Sequence, residues 1–599
     1  MHSVNSHVKR LKRHVSFDPN SNVLYDEKVR DNDSRVQIPT LARYHVEDLL
    51  RLPEVALIVL TGDAGHGKTH LCRQILQQDY GQPEEAIFRA LDTPGMAVEP
   101  TSVGEGLRPI RVISDLTALG PRAGTLLEEM VKNRAMVSLV CANEGCLRDV
   151  VEHSRSSELQ VILETLKQGL LRGVTWCEPH VRVINLNFQS VTSSETSFSQ
   201  SILETWVEDR RLWKACRSCA LAESCPIRAN QLALGGANEK DAVAATRREA
   251  FEALLRISEQ SGFVLTIRET LKLCAYTITG GLDCDDVARS IGRQNWAEGF
   301  EFSHLIFGRA LPSEQMRQIP VLARLRQFDP GTVALCDVDN QLMSSLDRDD
   351  VASPDPNDRF VPPPRTSKEA RDAAIHHRDR LRRARRRDFF DFYRTGHRSS
   401  EEIPGECARR LGLRHYEEFR IAVGAQAAEA RRLAAVRDRL VDGLHVLQGI
   451  RPADELSFCL TDPAFTAGRG RAPILACRVS RSELTLCGLE KVWAKLQAEH
   501  PKGPDLLSEA MNWIPRRICL VFGKNIAERI ELDLLQFEFV MRCADGIAFR
   551  EFHGPEVRCL HRRLAQAATV RQRPEEAIEV IVGRDRKQIS IDGDDFRVG

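Results

Sequence analysis

The stretch VALIVLTGDAGHGKTHLCRQIL, residues 55–76, decides the fold of this chain. It opens with an apolar run rich in β-branched residues, passes through a glycine-rich loop over 62–69, and ends in a pattern with helical spacing. The loop matches G-x-x-x-x-G-K-[ST] in full, and this motif requires a strand before it and a helix after it. The stretch therefore predicts a phosphate-binding loop for a nucleoside triphosphate.

The residue types of this loop suit the binding of phosphate groups. The glycines let the backbone turn tightly and bring its N–H groups against phosphate oxygens. Lys68 would reach the β- and γ-phosphates of ATP, and the Thr69 hydroxyl would ligate Mg²⁺ at the start of a helix whose dipole favours anions. The alternative is a glycine loop that matches the pattern by chance. The predicted nucleotide contacts are Gly62, Asp63, Ala64, Gly65, His66, Gly67, Lys68, Thr69 and His70.

A second short apolar strand is predicted to end at Asp115. A carboxylate in this place can hold Mg²⁺ beside the phosphate loop, whereas the alternative is an ordinary Asp at a strand end. Hydrolytic P-loop enzymes often follow this Asp with Glu, which polarises the attacking water. Leu116 and Thr117 follow here, so either Glu144 acts as the base or turnover is slow.

The next predicted strand, over 136–143, ends at Asn143. This side chain suits a residue that orients water against the γ-phosphate, or one that caps the following helix, since Asn is a good N-cap. Both roles are compatible. Lys68, Asp115 and Asn143 follow one another in the chain order of an AAA-type ATPase.

Several arginines are candidates for contact with the γ-phosphate. Arg268 opens a predicted helix after the core and suits the sensor arginine of a lid, although a surface Arg paired with a carboxylate explains it nearly as well. Arg148, Arg172 and Arg182 are candidates for an arginine finger that acts on a neighbouring subunit.

Three cysteines interrupt a helical region in the pattern Cys216-x2-Cys219-x5-Cys225. Thiolates this close suit a tetrahedral Zn²⁺ or an iron–sulfur cluster. The alternative is three reduced, partly buried cysteines, since Cys also packs as a small apolar residue. The candidate fourth ligands are Cys274, Cys284, Cys177 and His180.

A very basic helical run follows the clearest linker candidate, residues 344–366. Arginines grip the phosphates of DNA, so the run predicts a DNA contact. A solvated helix face or a subunit contact is the alternative. The run contains Arg378, Arg380, Arg382, Arg383, Arg385, Arg386 and Arg387.

Length and composition limit the class of protein. The chain has 599 residues, 42% apolar and 28% charged, with a formal net charge of +0, so a DNA contact requires a local patch. No apolar run reaches the roughly 18 residues of a membrane helix, and none follows the basic N-terminus, which argues against a signal peptide. The 17 cysteines are dispersed, which favours a reducing cytoplasm.

Strands that alternate with helical stretches predict an α/β fold, a P-loop NTPase core of AAA-like type in which helices flank a mostly parallel sheet. A helical lid, a basic helical region and a smaller mixed α/β or β-rich C-terminal domain are predicted to follow. The predicted parts are an N-terminal arm over 1–38, the ATPase core over 39–195, the lid with the cysteine cluster over 196–343, the linker over 344–366, the basic helical region over 367–450 and an interaction domain over 451–599.

The order of motifs resembles one known family. The segments are GDAGHGKTHL at 62–71, ISDL at 113–116, ANEGCLR at 142–148, NLN at 185–187, the cysteine cluster followed by Pro-Ile, LTIRE at 265–269 and ITGG at 278–281. Together they look like the DptF family, the ATPase of DNA phosphorothioation-dependent restriction systems in bacteria. The resemblance covers about residues 50–400, and the ANEGCLR segment with the cysteine cluster carries it.

The resemblance implies a cytoplasmic, oligomeric anti-phage ATPase that works with a HerA-like translocase and a further subunit on DNA lacking a sulfur-modified backbone. No nuclease motif is visible in the sequence, so a partner would cut the DNA. The competing hypothesis is a nucleotide switch or scaffold that hydrolyses ATP slowly and gates a separate effector without touching DNA. The missing Glu after Asp115 favours the switch, and the arginine run favours the DNA-engaged ATPase.

Overall fold

A computed structural model describes most of the residues of the chain. These residues are 4–15, 40–101, 106–154, 156–157, 159–160, 162, 180–192, 197–236, 241–291, 296–308, 319–334, 339–340, 368–391, 402–424, 430–450, 456–462, 473–489, 492, 517–523, 528–547, 554–571, 577–582, 585–592 and 595–598. Among them, no helix combines the length and the apolar character that a bilayer crossing requires.

The chain divides into two compact units. The first comprises 1–258, 264–412 and 502–513, and the second comprises 259–263, 413–501 and 514–599. The strands of the first unit are β1 (Leu57–Thr61), β2 (Ala97–Val98), β3 (Ile110–Ile113), β4 (Val137–Cys141) and β5 (Val181–Asn185). Its helices are α1 (Ser6–His14), α2 (Leu41–Arg51), α3 (Lys68–Gln74), α4 (Glu84–Asp92), α5 (Ala123–Lys132), α6 (Glu144–Glu152), α7 (Phe198–Glu208), α8 (Lys214–Arg217), α9 (Pro226–Gly235), α10 (Ala242–Gln260), α11 (Ile267–Thr279), α12 (Cys284–Ser290), α13 (Phe302–Leu305), α14 (Pro320–Leu325), α15 (Lys368–Asp391) and α16 (Ile403–Arg410).

The sheet of the first unit has the strand order β2-β3-β4-β1-β5. Strands β3, β4, β1 and β5 run parallel, and the short β2 pairs with β3 in the antiparallel sense. Because side chains alternate across a strand, β1 feeds two cores. Ile58 and Leu60 pack with residues of α2, α3 and α4, whereas Leu57 and Val59 pack with residues of α5 and α6. The prediction of a mostly parallel sheet flanked by helices is confirmed.

The N-terminal residues that the structure describes form a packed helix. Helix α1 buries Val8 and Leu11, and its N-cap is Asn5, whose side chain accepts from the backbone N–H of His7. It packs against α11. An irregular polar arm was expected over 1–38, and residues 4–15 of it instead belong to the body of the first unit.

The division of the helical region differs from the expected one. Helix α15, which carries the arginine run, groups with the preceding helices, and the boundary between the units falls at Gly412 rather than at the end of a separate basic region over 367–450. The expected linker over 344–366 lies outside the described residues.

The second unit combines two antiparallel sheets with long helices. One sheet has the order β10-β9-β8 and the other the order β13-β12-β11-β7-β6. The helices Ala430–Gln448 (α18) and Leu534–Ala544 (α19) approach closely at Gly443, where a Cβ atom would lie 2.0 Å from the carbonyl oxygen of Val540. The elements are helices α17 (Tyr416–Gly424), α18 (Ala430–Gln448), α19 (Leu534–Ala544) and α20 (Gly554–Arg571), and strands β6 (Ser457–Thr461), β7 (Ile474–Ser480), β8 (Leu484–Gly488), β9 (Ile518–Phe522), β10 (Arg529–Leu532), β11 (Ala577–Val582), β12 (Asp585–Asp592) and β13 (Asp595–Val598).

We expect the second unit to lose stability in mild acid through His445. Burial lowers the pKa of this imidazole from 6.5 to about 3, and its Nε2 accepts from the backbone N–H of Cys459 at 3.0 Å. Below pH 6.5 the unfolded chain binds the proton at this imidazole and the folded chain does not. The free energy of unfolding therefore decreases as the pH is lowered, by about 2 kcal/mol at pH 5 relative to neutral pH. Denaturant titrations of the wild type and His445→Gln at pH 7.5 and pH 5 measure it, since Gln keeps an acceptor without the charge. Equal losses in both proteins would contradict the prediction.

Candidate nucleotide-binding site

The glycine loop lies at the carboxyl end of β1, the strand between β4 and β5. Helix α3 begins at Lys68, directly after the loop. The chain leaves β1, adds β3 and then β4 on one side, and places β5 on the other. Ligands of open α/β sheets bind outside the carboxyl ends of the strands where the strand order reverses. The loop therefore occupies the place in this sheet at which a ligand is expected.

Three glycines of the loop have a backbone conformation that other residues rarely adopt. The φ angles of Gly62, Gly65 and Gly67 are +128°, +102° and +79°. A Cβ atom at Gly62 would lie 3.0 Å from Oδ1 of Asn187, and one at Gly65 would lie 3.0 Å from Cβ of Arg268. Both the φ angles and these close approaches require glycine.

The side chain of Lys68 folds over the loop. Its Nζ donates to the carbonyl oxygens of Gly62 at 2.7 Å and Asp63 at 2.9 Å. Burial lowers the pKa of this ammonium, the positive charge of Arg268 acts in the same direction, and the charge of Asp115 acts against it. Lys68, Asp115 and Arg268 thus belong to one electrostatic neighbourhood.

Asn187 fixes the loop from the 3-10 turn Leu186–Phe188 that follows β5, and no role in the site was predicted for this residue. Its Oδ1 accepts from the backbone N–H of Asp63 at 2.8 Å. Its own backbone N–H donates to Oδ1 of Asn185, the last residue of β5, at 3.0 Å. The contact joins residues 124 positions apart, so no local pattern could have revealed it.

The N-terminus of α11 holds the other side of the loop. Thr266 and Glu269 form a capping box, and the backbone N–H of Arg268 donates to the carbonyl oxygen of Gly65 at 3.0 Å. The pattern Thr-x-x-Glu is a readable signal for a helix start. It predicts where α11 begins but not that this helix end meets the phosphate loop.

The strand predicted to end at Asp115 ends at Ile113, and Asp115 lies two residues after it. Its side chain caps a 3-10 turn over Leu116–Arg122 by accepting from the backbone N–H of Thr117 at 2.9 Å. This bond occupies one carboxylate oxygen. Asp115 thus combines a local capping role with a place at the carboxyl edge of the sheet.

Asn143 and Glu144 follow β4 at the same edge. Asn143 is exposed at the N-cap position of α6, but its side chain makes no capping hydrogen bond. Glu144 pairs with Arg148 one turn later, at 2.9 Å, and three quarters of each side chain is buried. The candidate base and one candidate arginine finger are therefore bound to each other. Of the other candidate fingers, Arg182 lies on β5 and Arg172 lies outside the described residues.

The remaining loop residues differ in exposure. Asp63 and Ala64 are exposed, whereas Thr69 and His70 are half-buried. His66 is buried, with 2% of its surface exposed. Of the predicted nucleotide contacts, His66 is thus the least accessible through its side chain.

The cysteines of the predicted cluster are half-buried thiols. Cys216 lies on α8, Cys219 follows that helix, and Cys225 is the N-cap of α9. Of the candidate fourth ligands, Cys274 is fully buried on α11, and Cys177 lies outside the described residues. Within the described ranges, no three His, Cys, Asp or Glu side chains already stand at the spacing of a bound metal ion.

Three arginines of the basic run bind carboxylates of the same unit. Arg385 pairs with Asp339 at 2.7 Å, Arg386 pairs with Asp329 at 2.5 Å, and Arg387 pairs with Glu301 at 2.5 Å. These charges serve the packing of α15. Arg382 also lies 3.8 Å from the carboxylate of Asp379, within the same helix. Arg378 is exposed and is the arginine we consider for a DNA contact by this helix.

Comparison with family models, with curated proteins and with solved structures finds no match in any of the three.

Proposed function

We propose that this chain binds and hydrolyses ATP in the presence of Mg²⁺. One observation carries the proposal. Three glycines with positive φ, and a lysine whose Nζ binds the loop's own carbonyl oxygens, directly follow β1, a strand inside a mostly parallel sheet. Backbone N–H groups in such a turn bind phosphate oxygens, and the N-terminus of α3 adds the favourable end of its dipole.

The residues around the loop have separate roles in this proposal. Lys68 exchanges its bonds with the loop carbonyls for bonds with the β- and γ-phosphates. Thr69 and Asp115 would hold Mg²⁺, which neutralises charge on the phosphates when it is bound. Arg268 contributes a second positive charge from α11. Asn143, whose side chain is not engaged as a cap, orients water at the end of β4.

The biological setting rests on the motif resemblance described above. We infer a subunit of a bacterial anti-phage restriction complex that couples ATP to DNA sensing or effector activation, with a HerA-like translocase and a further subunit as partners. The ion pairs of Arg385, Arg386 and Arg387 weaken the argument for DNA contact through α15. The strand order and the conformation of the glycine loop support the proposal of ATP binding and hydrolysis. The proposal of a DNA contact has less support than this.

The experiment that tests both parts is steady-state ATP hydrolysis by the full chain, with and without duplex DNA, at low and moderate salt. Hydrolysis stimulated by DNA, with a stimulation that fades as salt rises, is the expected result, because phosphate contacts weaken with salt. ATP binding without turnover under every condition would refute hydrolysis by the isolated chain.

A second candidate function is a slow nucleotide switch that gates a separate effector. The Glu144–Arg148 pair favours it, since a base bound to a guanidinium is a poor acceptor of a proton from water. In this case ATP changes the oligomeric state or the affinity for a partner, and DNA has no effect. Size-exclusion chromatography with and without ATP separates it from the first candidate.

Glu144→Gln is expected to lower the turnover number about 100-fold while ATP binding stays unchanged, because loss of a general base removes a contribution of this order. Single-turnover hydrolysis and a fluorescent-nucleotide titration measure the two effects. Glu152→Gln, an exposed change at the end of the same helix, is the matched control. If Glu144→Gln retains full turnover, the base lies elsewhere.

A further inference from the structure

Two separate segments bring four cysteines together beside the N-terminal helix. Cys216 lies on α8, Cys219 and Cys225 follow it before the first turn of α9, and Cys284 is the first residue of α12. All four are half-buried free thiols.

Asn5 joins the two segments through their sulfur atoms. Its Nδ2 donates to Sγ of Cys216 at 3.2 Å, and its backbone N–H donates to Sγ of Cys284 at 3.4 Å. The same Nδ2 also donates to the carbonyl oxygen of Leu212 at 3.0 Å, which fixes the amide. Outer hydrogen bonds of this kind orient metal ligands and tune them. One residue thus connects the loop cysteines to Cys284.

The other two cysteines belong to the same stretch of chain as Cys216. Cys219 follows the helix that holds Cys216, and Cys225 is the N-cap residue of α9. Burial raises the pKa of the Cys225 thiol, and the neighbouring Cys216 and Cys284 raise it further. Burial likewise raises the pKa of the Cys284 thiol, and the neighbouring Cys216 and Cys219 act in the same direction. Each of the four thiols is therefore the electrostatic neighbour of at least one other.

Two of the three carboxylates next to Cys284 are engaged elsewhere. Asp283 and Asp286 form the capping box of α12, and both bind Nζ of Lys12, at 2.7 and 2.6 Å. These two are therefore poor competitors for a metal ion. The same contacts anchor α1 to α12.

We propose that Cys216, Cys219, Cys225 and Cys284 bind one thiophilic metal centre, a tetrahedral zinc ion or an iron–sulfur cluster, with Asn5 as the hydrogen-bond donor to two of its sulfur atoms. The x2 spacing of Cys216 and Cys219 is common in zinc sites, and four thiolates complete a closed structural site. The four thiols release their protons as the metal binds, and the sulfur atoms draw together around it. The centre joins the α8–α9 loop, α12 and the N-terminal helix.

The test is metal analysis of the full chain, purified from zinc-supplemented medium in air and, separately, without oxygen. One zinc ion per chain, or iron with an equal amount of acid-labile sulfide and visible absorption, is the expected result and distinguishes the two occupants. Cys284→Ser is expected to weaken metal retention against a chelator at least ~10-fold, since even loss of an outer partner costs 10–100-fold. Cys559→Ser, a half-buried free thiol on α20, is the matched control and should keep the metal.

Two further measurements concern the hydrogen bonds of Asn5 and the folding of the Cys284→Ser variant. Asn5→Ala leaves all four ligands and is expected to lower metal affinity about 10-fold at unchanged stoichiometry. Nucleotide binding by Cys284→Ser reports whether the variant is folded and tests the phosphate loop independently. Wild-type chain without zinc or iron from either preparation, or Cys284→Ser with full retention of the metal, overturns the proposal.

Discussion

Lys68→Ala is expected to abolish ATP hydrolysis, with a loss of at least ~100-fold in turnover. In the proposed ATP complex, this ammonium is the cation that the loop itself provides to the phosphates. Its present bonds to the carbonyl oxygens of Gly62 and Asp63 show that it reaches across the mouth of the loop. Steady-state turnover at saturating ATP and Mg²⁺ measures the effect.

Lys132→Ala is the control for this experiment, because it removes an exposed lysine from the last turn of α5, away from the loop. It should leave turnover and thermal stability unchanged. Circular dichroism checks that Lys68→Ala is folded. If a folded Lys68→Ala protein hydrolyses ATP at the wild-type rate, the assignment of the phosphate loop is wrong.

The phosphate loop is the part of the site that the sequence predicts best. Its glycines, Lys68 and Thr69 all lie within eight consecutive residues. Such a loop needs glycine where φ is positive, and Gly62, Gly65 and Gly67 have positive φ angles. Residue type and local spacing contain this information. The flanking strand and helix follow from the same stretch, so the core of the first unit could be predicted from it.

The parts that hold the loop could not be predicted, because they depend on long-range packing. The contact of Asn187 with Asp63 and that of Arg268 with Gly65 join distant segments. The proximity of Cys284 to the cysteine loop is of the same kind. The spacing of three of the proposed metal ligands can be read along the chain, but the fold is needed to bring the fourth, Cys284, to them.

The charges of α15 show a second limit of sequence reasoning. A run of arginines predicts a nucleic-acid contact when the carboxylates that pair with these arginines are distant in the sequence and so go unnoticed. The paired carboxylates precede their own arginines by 46 to 86 residues, and no local pattern connects them. They are Asp339, Asp329 and Glu301. Net charge along a segment therefore overestimates the charge that is available to a partner.

The Arg386–Asp329 pair should be the most sensitive contact of α15. Its side chains are 9% and 8% exposed, and the Nε atom of Arg386 donates to Oδ1 of Asp329 at 2.8 Å. Asp329→Ala leaves a buried guanidinium without its carboxylate, and we expect the free energy of unfolding to fall by about 3–5 kcal/mol. Denaturant titration of the full chain measures the change, followed by a probe in the first unit.

A double-mutant cycle separates the pair from its surroundings. Arg386→Met with Asp329→Ala removes both charges and should recover much of the loss, because replacing a buried ion pair by apolar groups is often close to neutral. Arg378→Ala, on the exposed part of α15, is the control and should change stability by less than about 0.5 kcal/mol. If duplex DNA binds the wild type, Arg378→Ala should weaken that binding, whereas Arg386→Met with Asp329→Ala should not. The reverse order would mean that the arginines of the ion pairs leave their carboxylates to contact DNA.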